Sequence, residues 1–495
     1  MSAAEKGVVA AGHPLSAQAG AKVLREGGNA VDAAVAAMLT SFVAESLLTG
    51  LGAGGYMLVA GGGVEPTLLD FFVEAPAGRE THVAAGGSLV ELHGVEVSFG
   101  DAVQVFHIGP ASCGVYGVPA GVCEAMRRWG TASLDDLAAP AAKLAQDGVE
   151  INRGQAYVAK ILADLLKSTP ECAALWAPDG RILEEGDTLR NPELGESLRR
   201  LAREGAEPFY RGDIAAAVCD WLGARGSTLS AQNLADYRAI EREPARIAYR
   251  DREILTNPPP SAGGTLLSYA LALLDRGPAP PSLCDMISAM SAAQAERTPD
   301  FLKGLDREGF LEDFLAARLG STTHISAIDT NGCACSVTCT NGEGSGVVVP
   351  GTGLHLNNVM GEEDLNPFGF HQHPAGRRMP SMMAPSVVMR EGEVELVLGS
   401  AGSNRIRSAL LQTIVAVVDQ GLEVRDAVGA PRVHLENGVV FAEPGIDVGQ
   451  LDAGQSVVQF GTPNLFFGGV QAAMRRGERL SGAGDPRRGG VAVNA

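Results

Sequence analysis

Residues Leu319-Gly320-Ser321-Thr322-Thr323-His324-Ile325-Ser326 open a strand-like segment that runs to a turn at Asn331-Gly332. A threonine at the head of a strand is ordinarily a β-branched residue suited to a pleated sheet. If the peptide bond before Thr322 is cut, the freed α-amine lies beside the threonine hydroxyl and can act as its general base. The stretch therefore indicates either an ordinary strand or an N-terminal threonine nucleophile.

The composition is that of a globular, acidic protein. Of 495 residues, 45% are hydrophobic and 20% charged, and 58 acidic against 39 basic residues give a net charge of −19. Such a surface repels phosphate backbones, so we expect no nucleic-acid partner. No apolar run reaches the roughly 18 residues of a membrane span, and no signal-like segment follows Met1. These observations predict a cytoplasmic protein without a membrane segment.

The chain carries two groups of residues that could bind a metal. The eight cysteines are too sparse for a disulfide scaffold, and only Cys333, Cys335 and Cys339 cluster. Their odd spacing puts them on one face of a strand, which favours a buried face lined by thiols over a zinc site that lacks a fourth ligand. His371 and His373 likewise have no carboxylate or cysteine nearby to complete a set. We predict no metal and no cofactor.

The predicted secondary structure differs between the first and second parts of the chain. It is helix-rich first, especially over about 129–240, and strand-rich after Thr322. The glycine-rich run 50–55 superficially matches a dinucleotide-binding fingerprint. Its glycines follow a predicted helix and precede a strand, the reverse of the order that this fingerprint requires. We therefore interpret the run as close backbone packing next to an active site.

Seven short motifs, in order, carry a resemblance that covers the chain from about residue 8 onward. Together they resemble the γ-glutamyltransferases (γ-glutamyl transpeptidases). The motifs are His13-Pro14-Leu15-Ser16 with Gly27-Gly28-Asn29-Ala30-Val31-Asp32-Ala33-Ala34, the glycine-rich run, Pro208-Phe209-Tyr210-Arg211-Gly212-Asp213-Ile214-Ala215, Leu234-Ala235-Asp236-Tyr237, Pro258-Pro259-Pro260-Ser261-Ala262-Gly263-Gly264, Thr322-Thr323-His324 and Asp485-Pro486-Arg487-Arg488-Gly489-Gly490.

The resemblance implies an N-terminal-nucleophile hydrolase with a four-layer αββα sandwich of α/β class. It also implies autocatalytic cleavage between Ser321 and Thr322. Segment 1–321 would be the large subunit and segment 322–495 the small subunit, associated through one shared core.

The resemblance also implies the catalytic groups. Thr322 would be both nucleophile and base, and Thr340 would position the new α-amine. Backbone amides at Gly402 and Ser403 would form the oxyanion hole, where the family has a Gly-Gly pair. Serine keeps its N–H, so the donor survives if the backbone conformation does.

The residues expected to recognise a glutamyl group depart from the family. Phe72 stands where the family has an arginine for the α-carboxylate, and phenylalanine offers a carboxylate nothing. Glu362 aligns with the aspartate that binds the α-amine, so that charge persists on a longer arm. Glu343 is an acid in a shortened segment where the usual pattern has none.

Two further positions are altered near the expected substrate. Ser381 remains of a serine pair, and Met382 replaces its partner with an apolar side chain. A replacement cation could come from Arg378, Arg377 or Arg79, with the pair before Ser381 the best placed. The alternative for that pair is a solvated turn.

The sequence thus favours a self-processing amide hydrolase or acyltransferase that takes a small acyl donor and passes the acyl group to water or an amine. γ-Glutamyl compounds such as glutathione are the family's default donors. An acylase for another acyl amide, such as one with a dicarboxylic side chain, is an alternative suggested by Phe72 and Met382. An unprocessed, non-catalytic binding protein is an alternative of another class. The pattern leaves a homo-oligomer open.

Overall fold

The helices and strands are known for most of the chain. The computed structural model describes residues 5–76, 92–98, 103–295, 323–366, 369–451 and 454–495. Its helices, in chain order, are α1 Pro14–Arg25, α2 Ala30–Ala44, α3 Val118–Trp129, α4 Leu134–Asp147, α5 Arg153–Ile161, α6 Ala163–Leu166, α7 Pro170–Trp176, α8 Pro192–Glu204, α9 Glu207–Tyr210, α10 Asp213–Gly223, α11 Ala231–Asp236, α12 Ala262–Asp275, α13 Leu283–Ala295, α14 Arg405–Val418 and α15 Val424–Gly429.

Strands occur both before and after residue 322. In chain order they are β1 Gly7–Ala11, β2 Gly54–Gly61, β3 Val64–Phe71, β4 His93–Ser98, β5 Val103–Ile108, β6 Val149–Glu150, β7 Thr188–Leu189, β8 Ile240–Arg242, β9 Ala245–Tyr249, β10 Arg252–Thr256, β11 Thr323–Asp329, β12 Ala334–Thr340, β13 Val348–Val349, β14 Leu354–His355, β15 Ser386–Arg390, β16 Glu393–Ala401, β17 Val433–Glu436, β18 Val439–Ala442, β19 Ser456–Gln459, β20 Gly469–Arg476, β21 Arg479–Gly484 and β22 Val491–Asn494.

Two antiparallel sheets form the centre of the molecule, and each takes strands from both sides of position 322. The seven-stranded sheet has the order β22-β1-β11-β12-β2-β3-β8, and the six-stranded sheet has the order β21-β20-β16-β15-β10-β9. Strands β11 and β12 therefore lie between β1 and β2, with Thr323 opposite Cys339 and Thr340 opposite Gly54. The first described residue after the Ser321-Thr322 junction thus begins a central strand.

Helices cover the outer face of each sheet. Helices α1 and α2 pack on the seven-stranded sheet, α12 and α14 pack on the six-stranded sheet, and the two sheets face each other. Three hydrophobic cores fill the three spaces between these four layers. The predicted αββα sandwich is confirmed.

Side-chain alternation along β11 and β12 builds two of these cores. Ile325 and Ala327 join the helix-side core, whereas Ile328 joins the core between the sheets, as the period of two requires. Cys335 and Cys339 lie with Val337 on the helix side and are fully buried. The interpretation of the cysteine cluster as a buried thiol face is confirmed.

Local sequence signals explain the first two helices. Gly27 takes a positive φ of 97° just after α1, the conformation that glycine adopts most cheaply. Asn29 caps α2 by accepting hydrogen bonds from the Val31 and Asp32 amides, and the Asp32 carboxylate accepts one from the Asn29 amide. In the glycine run, a Cβ at Gly52 would lie 2.5 Å from the His355 carbonyl oxygen, so the predicted close packing is confirmed.

Membrane insertion finds no support among the helices. Within the ranges given above, none combines the length and apolarity that crossing a bilayer requires.

Candidate active site

Two adjoining cavities open at the start of β11. The first, of about 70 Å³, is lined by polar and charged groups together with the first described residue of the strand: His13, Glu45, Gln155, Thr323, Arg487 and Arg488. The second, of about 50 Å³, is lined by a charged set beside the expected oxyanion pair: Glu343, Gly402, Ser403, Arg405 and Arg488. Leu48, Val158, Leu465 and Arg488 line both cavities. Ser321 and Thr322 themselves lie outside the described residues.

Thr340 ends β12 in a tight turn next to this region. Its side chain is buried, and its Oγ1 accepts a hydrogen bond of 2.7 Å from the Gly342 amide. The same hydroxyl donates to the Gly342 carbonyl oxygen at 3.4 Å. The structure thus fixes the orientation of Thr340; its role toward the α-amine of Thr322 stays a prediction.

Gly402 and Ser403 form the junction between β16 and α14. Both have positive φ, 119° at Gly402 and 52° at Ser403. A Cβ at position 402 would lie only 2.7 Å from the Gly468 Cα, so packing and backbone conformation both require glycine there. The pair precedes the N-terminus of a 14-residue helix, whose dipole favours negative charge at this point. This arrangement suits a developing oxyanion.

Glu343 and Glu362 lie around the turn after β12. Glu343 lines the second cavity, and its backbone amide donates to the Asn358 Oδ1 at 3.1 Å. Glu362 is buried beside Gly342, where a Cβ would lie 2.2 Å from the glutamate Oε1. The structure therefore places both predicted acids around one turn, with Glu343 facing the oxyanion pair.

His324 is held between the sheets. Its Nδ1 lies 2.7 Å from the Thr338 hydroxyl and its Nε2 lies 2.9 Å from the Ser326 hydroxyl. Burial lowers the pKa of His324 to about 3, so the imidazole is neutral at physiological pH. His324 therefore supports the strand that follows Thr322.

Three predicted substrate residues pack away from the two cavities. Phe72 is fully buried in the core between the sheets, with its ring stacked on Tyr56 at 5.5 Å. Met382 is fully buried in the core beneath α12. The Ser381 Oγ accepts from the Met383 amide at 3.0 Å. None of the three lines either cavity. The expectation that Phe72 and Met382 make the pocket apolar has no support in this placement, because both side chains serve the core.

Arg378 is bound within the protein. Its guanidinium lies 3.3 Å from both Asp70 and Glu74 and donates to the Phe72 carbonyl oxygen at 2.6 Å. It also lies over the Tyr237 ring. Arg378 is buried, so a solvated turn is the wrong interpretation for it, and its internal partners take the donors that a substrate carboxylate would need.

Arg377 does not line either cavity, and Arg79 lies outside the described residues.

Four charged residues at the cavities were not predicted as site residues from the sequence: Glu45, Arg405, Arg487 and Arg488. The Glu45 carboxylate accepts a hydrogen bond from the Ser16 hydroxyl at 3.3 Å. Burial raises the pKa of Glu45 to about 7, although the Ser16 hydrogen bond and the positive charge of Arg488 both act to lower it. Arg488 is the last arginine of the C-terminal Asp-Pro-Arg-Arg motif. The motif carried the resemblance, but nothing in its spacing showed that the chain end folds back to this cavity.

A buried ionic network anchors that chain end. Arg432 and Arg487 both contact the Asp485 carboxylate, at 2.7 and 3.2 Å. Burial would raise the pKa of Asp485, but the two guanidinium groups hold it below its ordinary value. Glu443 accepts a second bond from Arg487, of 2.7 Å to its Nε. Arg488 therefore extends from a turn that this network holds in place.

Known proteins resemble the chain along nearly its whole length. The family model described as gamma-glutamyltranspeptidase matches residues 16–495. The chain is 29% identical to the glutathione hydrolase proenzyme of Bacillus subtilis strain 168, over 98% of this chain and 91% of that protein. It is 32% identical to the acylase ACY 1 proenzyme of Pseudomonas sp. strain SE83, over 89% of this chain and 84% of that protein. A cephalosporin acylase structure from Bacillus halodurans matches with a TM-score of 0.83 at 25% identity, covering 99% of this chain and 96% of that one.

Proposed function

Because this chain belongs to the gamma-glutamyltranspeptidase family and is an amide hydrolase or acyltransferase, we propose that it cleaves γ-glutamyl amides, such as glutathione, through Thr322. The observation that carries the proposal is the pair of adjoining cavities. Thr323, covalently bound to Thr322, lines one cavity, and Gly402 and Ser403 line the other.

Self-processing would create the nucleophile. The Thr322 hydroxyl attacks the Ser321 carbonyl carbon, the Ser321–Thr322 C–N bond breaks, and the acyl group moves to the hydroxyl oxygen as an ester. The proton of the hydroxyl passes to the departing nitrogen. This shift frees the α-amine of Thr322. Water then hydrolyses the ester, which regenerates the Thr322 hydroxyl and frees the carboxylate of Ser321. The relatives named above as proenzymes support this step.

Catalysis would use the same hydroxyl on a substrate amide. The α-amine of Thr322 takes the hydroxyl proton as the oxygen attacks, and the Gly402 and Ser403 amides stabilise the oxyanion. The amine then passes the proton to the leaving nitrogen as the C–N bond breaks. Water or an amine attacks the resulting ester and releases the acyl group.

An acylase for a different acyl amide is the second candidate. Phe72 stands in the arginine's place, and Arg378 is engaged by Asp70 and Glu74, so the expected glutamate anchor is absent from its usual position. A panel of γ-glutamyl, glutaryl and unbranched acyl anilides separates the two candidates, because only a γ-glutamyl enzyme requires the α-amine.

The first experiment is intact mass measurement with N-terminal sequencing of the purified protein. We expect two fragments, one of them starting at Thr322, together with amidase activity. Thr322→Ala should remain a single chain without activity. A wild-type chain that stays uncut and inactive on prolonged incubation would instead support the non-catalytic binding protein.

We also propose a cytoplasmic location. All eight cysteines lie in the described residues, and none forms a disulfide, as is usual where thiols are kept reduced. Fractionation of cells should recover the two fragments with cytoplasmic markers, and recovery in another compartment would contradict this. Whether the particle is a homo-oligomer follows from its size by light scattering.

A further inference from the structure

Arg488 lies beside the candidate oxyanion pair. A Cβ at Gly402 would lie 3.5 Å from the Arg488 Nη2, and a Cβ at Gly469 would lie 2.3 Å from its Cδ. Two glycines therefore leave the space that the arginine occupies. Its position on the shared wall of both cavities brings the guanidinium next to the scissile amide expected at Gly402.

The donors of Arg488 are almost unused. Its Nη2 donates one long hydrogen bond, of 3.4 Å, to the Leu465 carbonyl oxygen. Its Nε is enclosed and has no partner, and Arg488 forms no ion pair with a carboxylate in the described part of the chain. Arg487, the preceding residue, is in contrast bound to both Glu443 and Asp485.

The surroundings leave Arg488 charged but poorly compensated. Burial and the neighbouring Arg405 lower its pKa to about 10, while the charges of Asp485, Glu343 and Glu45 act in the opposite direction without forming an ion pair with it. An enclosed guanidinium without a bonded counter-ion is costly, and a carboxylate matches its planar fork through two parallel hydrogen bonds. A ligand carboxylate at this place would satisfy both donors.

We propose that Arg488 is a specificity-determining residue that binds a carboxylate of the amide substrate at a subsite beside Gly402. The inference rests on the proposed amidase function. The carboxylate belongs either to the acyl chain, as in a glutaryl or γ-glutamyl group, or to the amine portion, as in a peptide. When the carboxylate belongs to the acyl chain, Arg488 takes over the task of the arginine that Phe72 replaces. Glu45 lines the first cavity and Glu343 the second, so both carboxylates face the space next to Arg488.

A grid of four anilides tests the subsite and identifies the source of the carboxylate. The two acyl groups, glutaryl and valeryl, share a five-carbon chain, and only glutaryl carries a terminal carboxylate. Each acyl group is joined either to 4-nitroaniline or to 4-nitroaniline that carries a carboxylate at position 3. We expect wild type to prefer a carboxylate at one of the two positions. Arg488→Gln should lose roughly 10- to 150-fold in kcat/KM on the preferred substrates and less than about threefold on the neutral one. Arg488→Lys should fall between them.

The matched control is Arg425→Gln, which removes a charge from an exposed position on α15. It should match wild type on all four substrates. Thermal unfolding and fragment masses confirm that each variant folds and is processed. If Arg488→Gln does not fold, the wild-type grid and Arg488→Lys still decide the question.

Several outcomes would overturn the proposal. Equal losses on all four substrates would mean that Arg488 only positions the oxyanion junction. Equal wild-type rates with and without either carboxylate would exclude the subsite while leaving the amidase function intact. If wild type cleaves neither these four nor γ-glutamyl-4-nitroanilide, the proposed function fails. If it cleaves only the γ-glutamyl anilide, that function stands. In both cases calorimetry decides the subsite alone. Glutaramate or 5-amino-2-nitrobenzoate must bind wild type more tightly than valeramide or 4-nitroaniline and lose that advantage in Arg488→Gln.

Discussion

Arg487 and Arg488 are neighbours in the chain, yet their guanidinium groups have opposite surroundings. Arg487 is held by Glu443 and Asp485, whereas Arg488 lines the two cavities with its Nε unpaired. Arg378 resembles Arg487 in this respect, because its guanidinium is paired with the carboxylates of Asp70 and Glu74. At the scale of single residues, a buried arginine becomes available to a ligand only where the protein supplies no carboxylate of its own.

Glu45 should make stability depend on pH. Its pKa is about 7 in the folded protein and near 4.5 when unfolded, so the folded state binds the proton more tightly. The stabilisation of the folded state by the protonated Glu45 carboxyl group is complete below pH 4.5 and is lost as the pH rises through 7. Relative to wild type, Glu45→Gln should therefore gain roughly 1–2 kcal/mol of unfolding free energy between pH 4.5 and pH 8, discounted for partial exposure.

Urea unfolding of both proteins at several pH values measures this difference, since other titrating groups cancel in the comparison. A difference that stays constant with pH would contradict the raised pKa.

Gly402→Ala should damage both stability and activity. The added Cβ meets the Gly468 Cα at 2.7 Å in a backbone with φ 119°. We expect a loss of about 1–3 kcal/mol and a fall in kcat of roughly 100-fold, because the displaced amide no longer reaches the oxyanion. Unfolding curves and steady-state kinetics measure the two effects.

Gly438→Ala is the control for Gly402→Ala. Gly438 also has a positive φ, 77°, but open space around it and no place at the cavities. It should lose some stability and keep its kcat. Equal kcat losses in both variants would show that strain anywhere, rather than the oxyanion junction, controls the rate.

The candidate site residues lie at the ends of secondary-structure elements, which meet at the two cavities. Strand β11 begins beside one cavity, and the β16–α14 junction forms the wall of the other. The predicted strand between Thr322 and the turn at Asn331-Gly332 agrees with β11 to within a few residues, since alternation is a local signal. Arg378 is an element-scale exception, because it joins the end of β3 to the loop before β15.

Arg378→Met should destabilise the fold rather than merely alter a surface turn. Removing the guanidinium leaves the fully buried Asp70 with one ion-pair partner fewer and the Phe72 carbonyl with one donor fewer. We expect a loss of about 3 kcal/mol in urea unfolding. Arg390→Met, which removes an exposed arginine 3.7 Å from Asp251, should cost less than about 1 kcal/mol. Similar losses in both variants would contradict a structural role for Arg378.

On the scale of the whole molecule, the two predicted segments are interleaved. Strands β11 and β12 lie between β1 and β2, while β9 and β10 extend a sheet whose other strands follow residue 322. Neither segment can keep its sheets without the other, because separation would expose all three hydrophobic cores and unpair central strands.

After cleavage, the two fragments should therefore remain one particle. Size-exclusion chromatography in native buffer should elute both fragments in a single peak, and urea should separate them only when the protein unfolds. The uncut Thr322→Ala variant supplies the matched elution volume. Fragments that separate in native buffer would contradict an interleaved core.

The sequence alone determined the family, the αββα layers and the order of most elements. The family rests on colinear motifs along the chain, and the layers follow from the resemblance that these motifs carry. The elements rest on local periodicity and capping. Only the tertiary structure decided which charged residues meet at the cavities. Phe72, Met382 and Arg378 are close to the expected site in an alignment but pack into cores or ion pairs, whereas Glu45 and Arg488, 443 positions apart in the numbering, line one cavity. Burial and pairing depend on contacts between distant segments, and no spacing within the sequence encodes them.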